Sequence, residues 1–189
     1  MSRRELSVEV MDLLARFRAD SQSPREQELL AVAINAFLFI SSTGQSYAFE
    51  DFLHYLESSE PPPVVAAFDT REEAESWLHE HSSPPDSALV LISDQYHLVV
   101  YNRETNLRRL IPHSAAIEYH LGYLKQGGLP PPVASFETRA EAEAWLESQP
   151  EPPRQAVIRI AGEDHLAVHH RSVNRRAIYP FSQARAVKE

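Results

Sequence analysis

The chain has 189 residues, 43% of them hydrophobic, and a formal net charge of −9 at pH 7. It has no cysteine, which excludes disulfide bonds and thiolate chemistry. The negative charge argues against nonspecific binding to nucleic acid or to anionic membranes, because both attract basic surfaces.

No apolar core of the signal-peptide type follows the N-terminal arginines. The longest apolar run, residues 29–40, is interrupted by Asn35 and is too short to span a bilayer. We therefore expect a cytoplasmic protein with enough hydrophobic content to bury a core, as one domain or two small ones.

Residues 1–45 have the pattern of a helical cap that covers the start of the remaining chain. In the first predicted helix the apolar residues recur at helical spacing: Leu6, Val10, Leu13, Leu14 and Phe17. Ser23 is a good start for a second helix, because its hydroxyl can cap the helix and Glu26 follows three residues later. Residues 29–40 are apolar on nearly every side, which predicts a central buried helix.

The rest of the chain is a duplication. Residues 46–112 and 114–180 align at a constant offset of 68 without a gap, and 29 of the 67 aligned positions are identical. We therefore predict an N-terminal helical cap (1–45), two repeat modules (46–112 and 113–180) and a frayed tail (181–189).

Each module is predicted to contain the elements α-β-α-β-β-β, which makes the fold α+β. Thr70 and Thr138 each precede a glutamate by three residues, which predicts a capping box at the second helix of both modules. Trp77 and Trp145 lie on the apolar face of these helices and are predicted to anchor the module cores. Whether the two sheets join into one or pack separately is left open by the sequence.

The central hairpin strand of each module carries polar residues that point away from the predicted core. Leu98, Val100, Leu166 and Val168 share the core face, so alternate residues share the other face. The candidate partner-binding residues on or beside that second face are His97, Tyr101, Arg103, Arg159, His165, His169 and Arg171.

Three interpretations of this row remain open: a solvated strand face, a protein-contact face, or a metal or catalytic site. Arg, Tyr and His are all frequent in interfaces. His165 and His169 lie four residues apart on a predicted strand, so their Cβ atoms are roughly 13 Å apart. One metal ion with bonds of about 2.1 Å would hardly reach both.

No motif for nucleotide binding, metalloprotease or serine-hydrolase chemistry occurs in the chain. We therefore predict no catalytic residue, no metal, no cofactor and no enzymatic activity. The alternative is a small-ligand sensor or enzyme with a pocket between the modules, lined by His97, His165, Arg103 and Arg171. A third possibility is an oligomer that forms through open sheet edges.

The twin stretches 68–78 and 136–146 share the pattern F-[DE]-T-R-x-E-A-E-x-W-L and have proline-rich flanks. With these features the chain resembles tandem-repeat proteins that are abundant in myxobacteria, and small acidic proteins of that kind resemble cognate immunity proteins of contact-delivered toxins. The resemblance implies a cytoplasmic inhibitor that binds its toxin stoichiometrically, and it assigns a role to no individual residue. We accordingly predict a non-catalytic protein-binding module whose partner is a protein, with a basic toxin domain as the expected class.

Overall fold

The computed structural model describes residues 3–186 of the chain, with side chains from residue 8 onward. It divides into two compact units, Met1–Ser58 and Ser59–Glu189. The elements in chain order are α1 (Arg3–Asp20), α2 (Pro24–Ser42), α3 (Ser46–Glu57), β1 (Ala66–Phe68), α4 (Arg71–Glu80), β2 (Leu89–Ile92), β3 (Gln95–Asn102), β4 (Leu107–Pro112), α5 (Ala115–Gly127), β5 (Ser135–Phe136), α6 (Arg139–Ser148), β6 (Gln155–Ile160), β7 (Glu163–His170) and β8 (Arg175–Pro180).

The N-terminal unit consists of α1, α2 and α3. Ser23 caps α2 as predicted, because its hydroxyl accepts a hydrogen bond from the Glu26 amide. Phe37 of α2 packs edge-on against Phe49 of α3, with ring centroids 5.8 Å apart. The unit therefore ends at residue 58 and not at the predicted boundary of 45, because α3, which opens the first repeat, belongs with the two helices before it.

The prediction that residues 29–40 form a buried helix is wrong. No residue of α2 is buried, although the helix forms over the predicted span. Leu30, Ile34 and Phe37 lie on a half-buried face, and the residues opposite them are exposed. A helix is enclosed only when partners surround it, and the other helices of this unit cover α2 on one side. The Leu6 side chain of the predicted α1 stripe lies outside the described part of the chain.

Among residues 3–186, no single helix is long and apolar enough to cross a membrane. Counted together, α2 and α3 are long and apolar enough for a membrane span by length and composition only. The two helices are bent by 117° at the break between them.

The C-terminal unit contains two four-stranded sheets with the same strand order, β1-β2-β3-β4 and β5-β6-β7-β8. In each sheet the first strand is parallel to the second, and the other neighbours are antiparallel. The bounds of β3 and β7, of β4 and β8, and of α4 and α6 all differ by the predicted offset of 68. The predicted α+β class and element order are confirmed.

Each sheet has a helix on one face. Ala74 and Leu78 of α4 pack on Val90 and Val99, and α6 packs in the same way on the second sheet. The other faces contribute to one shared core, in which Leu91 and Tyr96 of the first module meet Leu121, Leu166 and Tyr179 of the second. The two sheets are thus separate hydrogen-bonded sheets joined by side-chain packing.

The two tryptophans lie at the rim of the helix–sheet cores. Trp77 packs on Phe68 and Trp145 on Phe136, with ring centroids 5.5 Å apart in both modules. Both indoles are half-buried, whereas Ala74 and Leu78 are fully enclosed. The tryptophans therefore close the edge of each core, and the smaller residues of the same helix face form its centre.

The capping predictions hold with one difference between the modules. Thr70 and Glu73 form the complete reciprocal capping box at α4. Thr138 caps α6 in the same way. The Glu73 carboxylate accepts hydrogen bonds from the Asp69 and Thr70 amides, whereas Glu141 accepts only the equivalent of the first of these two, from the Glu137 amide. The second cap is therefore formed, but without the return bond to the N-cap amide.

The predicted frayed tail begins as an ordered segment. A short 3₁₀ helix covers Phe181–Gln183, and Phe181 is 4% exposed within the shared core. The Arg185 amide donates a hydrogen bond to the Glu118 carbonyl of α5 at 3.0 Å. An apolar side chain at the first tail position fixes this segment to α5; residues 187–189 of the predicted tail lie outside the described range.

Candidate functional site at the junction of the two modules

The predicted row on β3 and β7 is not an open face. Val99 and Ala167, at its centre, are 0% and 1% exposed because α4 and α6 lie directly over them. His97 is also buried, and it cannot present its ring to a partner in this structure. In β7 the predicted core residues Leu166 and Val168 are buried, but in β3 the predicted core residues Leu98 and Val100 are only half-buried. The more deeply buried residues of β3, His97 and Val99, lie on the face predicted to be open, because the sequence does not reveal which sheet face α4 covers.

The remaining members of the row do not form one surface. Tyr101 is half-buried under the Arg108 guanidinium, and Arg159 forms an ion pair with Asp164 at 2.8 Å. His169 contacts Asn174 through Nε2 at 3.2 Å. His165 is half-buried, whereas Arg103 and Arg171 lie exposed beyond the ends of their strands.

The polar residues that the two copies share form scaffold contacts. The Nδ1 atoms of His97 and His165 each lie 3.0 Å from the carbonyl two residues earlier. Arg108 donates to the Leu78, His79 and His81 carbonyls and so caps the end of α4. Polar residues that are identical in the two copies are therefore residues that stabilise each module's own fold.

The contact between the modules uses residues that differ between the copies. Arg175 of the second module forms ion pairs with Asp94 (2.7 Å) and Asp69 (2.6 Å) of the first. The first module has Leu107 at the repeat position of Arg175, and the second module has Gly162 at the repeat position of Asp94. Two unlike surfaces meet at this junction, so the charged residues Arg175 and Asp94 that pair across it cannot be found by comparing the repeats.

A cleft of about 520 Å³ lies beside this junction. Its lining residues are Asp94, Arg139, Glu143, Leu146, Glu147, Asn174, Arg175, Arg176, Ala177 and Ile178. The residues predicted to line a pocket between the modules, His97, His165, Arg103 and Arg171, are not among them.

The charges in the cleft neutralise one another. Three arginines face three carboxylates, and the pairs Arg139–Glu143, Arg175–Asp94 and Arg176–Glu147 are 2.7, 2.7 and 2.5 Å apart. In the described part of the chain, no histidine, serine, threonine or lysine lines the cleft, and each of its three carboxylates is held in an ion pair. Across residues 3–186, no group of three or more His, Asp or Glu side chains is placed to hold a metal ion.

Next to the junction the shared core encloses a histidine and a tyrosine with unpaired polar atoms. His170 Nε2 and Tyr179 Oη are both buried without a hydrogen-bond partner. Burial, with smaller contributions from the charges of His169 and His120, lowers the pKa of His170 to about 4. Burial likewise raises the pKa of Tyr179 above its usual range. Both side chains are therefore neutral at physiological pH.

We expect Arg175→Met to lower the free energy of unfolding by about 1 kcal/mol, because its two ion pairs are partly exposed and screened by solvent. Urea unfolding followed by tryptophan fluorescence measures this loss. The matched control is Arg171→Met, which removes an exposed arginine from the same segment. Equal losses in the two variants would contradict the role assigned to the Arg175 pairs.

Neither a protein-family model, nor a curated protein, nor a solved structure matches this chain.

Proposed function

We propose that the chain is a non-catalytic module that binds a basic protein, and that it acts as a cytoplasmic immunity protein which neutralises a toxin by stoichiometric binding. The observation that carries this proposal is the location of the negative charge. Residues 69–80 carry five carboxylates and one arginine, and residues 137–148 carry four carboxylates and one arginine. By sequence these two segments, which contain α4 and α6, hold seven of the nine net negative charges, and two of their carboxylates, Asp69 and Glu147, are paired with Arg175 and Arg176 from outside the segments.

All the carboxylates of these segments are exposed. Several also have local roles: Glu73 and Glu141 cap their helices, and Glu75 and Glu143 pair with arginines of their own helices. Glu72, Glu80 and Glu137 have no such role, so they can be neutralised without disturbing a cap or an ion pair. An exposed acidic surface of this kind accelerates association with a basic partner and discriminates against acidic ones.

The paired charges of the junction cleft favour a protein-binding role over a site for a small anionic ligand. Its arginines are already paired with carboxylates, so it has no surplus positive charge with which to attract an anionic metabolite. Two helices with similar acid-rich sequences in a single unit offer a repeated acidic surface instead. A basic toxin domain, such as a nuclease, fits that surface by charge.

The test is affinity capture from the native cell with three forms of the full chain. The helix variant carries Glu72→Gln, Glu80→Gln and Glu137→Gln. The control variant carries Glu104→Gln, Glu151→Gln and Glu163→Gln, which change the net charge equally at exposed positions outside α4 and α6.

We expect the wild-type chain and the control variant to retain one basic protein at close to equal stoichiometry. The helix variant should associate with it about tenfold more slowly at low salt, because electrostatic steering is reduced. Recovery of no stoichiometric protein by the wild-type chain would reject the proposal. Equal retention by both variants would reject the assignment to α4 and α6.

A further inference from the structure

One face of α2 is an exposed apolar stripe with the spacing of a helix–helix contact. Leu29, Val32, Ala36 and Phe39 follow one another at intervals of three, four and three residues, the a/d spacing of a coiled-coil seam. Leu29, Val32 and Phe39 are 54%, 62% and 59% exposed. The half-buried face of α2, which includes Leu30, Ile34 and Phe37, lies on the opposite side of the helix.

The stripe and the chain that follows it are uncharged, and the charged residues beside its start, Arg25 and Glu28, pair with each other. No Asp, Glu, Lys or Arg occurs from Leu29 to Phe49, although the whole chain carries a charge of −9. Two copies of an acidic protein repel each other over most of their surface, and a contact here would bring no carboxylate of the stripe into an apolar interface. A basic partner would gain no attraction from this surface, so the stripe favours a second copy of the same chain.

The order of residues along the stripe suits an antiparallel two-fold pair. When two α2 helices cross at their midpoints in opposite directions, Leu29 lies opposite Phe39 of the second copy, and Val32 lies opposite Ala36. Large side chains are then paired at the ends, and the small Ala36 at the centre lets the helices approach closely. Each contact occurs twice, as two-fold symmetry requires.

The charged residue that lies in line with the stripe, Arg25, also favours the antiparallel direction. Arg25 lies one turn before Leu29 on the same side of α2 and is exposed in an ion pair with Glu28. In a parallel pair, two Arg25 side chains would lie together. In an antiparallel pair, each lies beside the last turn of the opposite α2, which has no basic residue of its own and whose carbonyl groups attract a cation.

We infer that two copies of the chain associate through an antiparallel pair of α2 helices. The seam is a short stripe of four residues, smaller than the interfaces of stable dimers, so the dimer is weak and exchanges with the monomer. Membrane binding is the competing use of such a stripe. Helices that lie on anionic membranes carry lysine and arginine on their polar face, whereas α2 has Arg25 alone.

The test is sedimentation equilibrium of the full chain over a range of concentrations. The wild-type mass should rise from 21.4 kDa toward twice that value. Val32→Glu and Phe39→Glu should raise the dissociation constant at least tenfold and leave a monomer. Leu38→Glu is the matched control: Leu38 is 50% exposed on the same helix but lies off the stripe, so this variant should still dimerise. Helical circular dichroism confirms that each variant is folded.

Because the chain has no cysteine, crosslinking can establish the direction of the pair. A mixture of Leu29→Cys and Phe39→Cys chains should form a disulfide between the two variants, and neither variant alone should crosslink to itself. A monomeric wild-type chain would overturn the inference, and so would equal loss of the dimer in Leu38→Glu or self-crosslinking of Leu29→Cys. Flotation of a monomeric wild-type chain with phosphatidylcholine or phosphatidylserine vesicles would assign the stripe to lipid instead.

Discussion

Leu121→Ala is expected to lower the free energy of unfolding of the C-terminal unit by about 2–5 kcal/mol. Leu121 is fully buried on α5 and packs in the core that the two modules share. Truncation removes apolar surface from that core and leaves a cavity that the surrounding sheets cannot close. Both tryptophans lie in this unit, so urea unfolding followed by their fluorescence reports its stability directly.

The matched control for this prediction is Leu53→Ala. Leu53 occupies the same repeat position in α3, but it is only half-buried and belongs to the N-terminal unit. Its truncation should shift the tryptophan transition much less. Equal losses from the two substitutions would show that α3 and α5 have the same structural role, contrary to the different burial of these two leucines.

Acid is expected to destabilise the chain through His170. Its folded pKa of about 4 lies below the ordinary histidine value of 6.5 because burial disfavours the charged ring. The folded state therefore keeps the ring neutral while the unfolded state takes up a proton. The contribution is fully present above pH 6.5 and is lost as the pH falls from 6.5 to about 4, at a total cost of about 3 kcal/mol.

His170→Phe isolates this effect from the titration of the carboxylates. The phenyl ring retains an edge-on contact with Tyr96, whose ring centroid lies 5.8 Å from that of His170, and it removes the unpaired Nε2. Unfolding free energies measured between pH 7 and pH 4 should fall less steeply in the variant than in the wild type. Parallel pH profiles would contradict the burial assigned to His170.

The element order could be predicted because its determinants are local and occur twice. Thr70 and Thr138 with their glutamates, Asn106 and Asn174 in left-handed turns, and the strand alternation around Leu98 and Leu166 all act within a few residues of one another. Each of these patterns occurs at the equivalent position in both modules. For this reason the bounds of α4 and α6 agree with the offset of 68.

The contacts between elements could not be predicted in the same way. The apolar content of α2 indicates a helix that packs against other elements. How many elements surround it depends on distant parts of the chain. The covering of Val99 by α4 likewise depends on which sheet face the connecting helix occupies. Arg175 gives no signal in the sequence because its partner Asp94 lies 81 positions away and neither residue is repeated.

The most direct test of the proposed function is growth rescue with the protein captured from the native cell. Expressed alone in a host cell, that partner should stop growth, and co-expression of the wild-type chain or of the Glu104, Glu151 and Glu163 variant should restore it. The variant neutralised at Glu72, Glu80 and Glu137 should restore growth only weakly. A partner whose expression leaves growth unchanged, or whose toxicity the wild-type chain fails to relieve, would contradict the proposal.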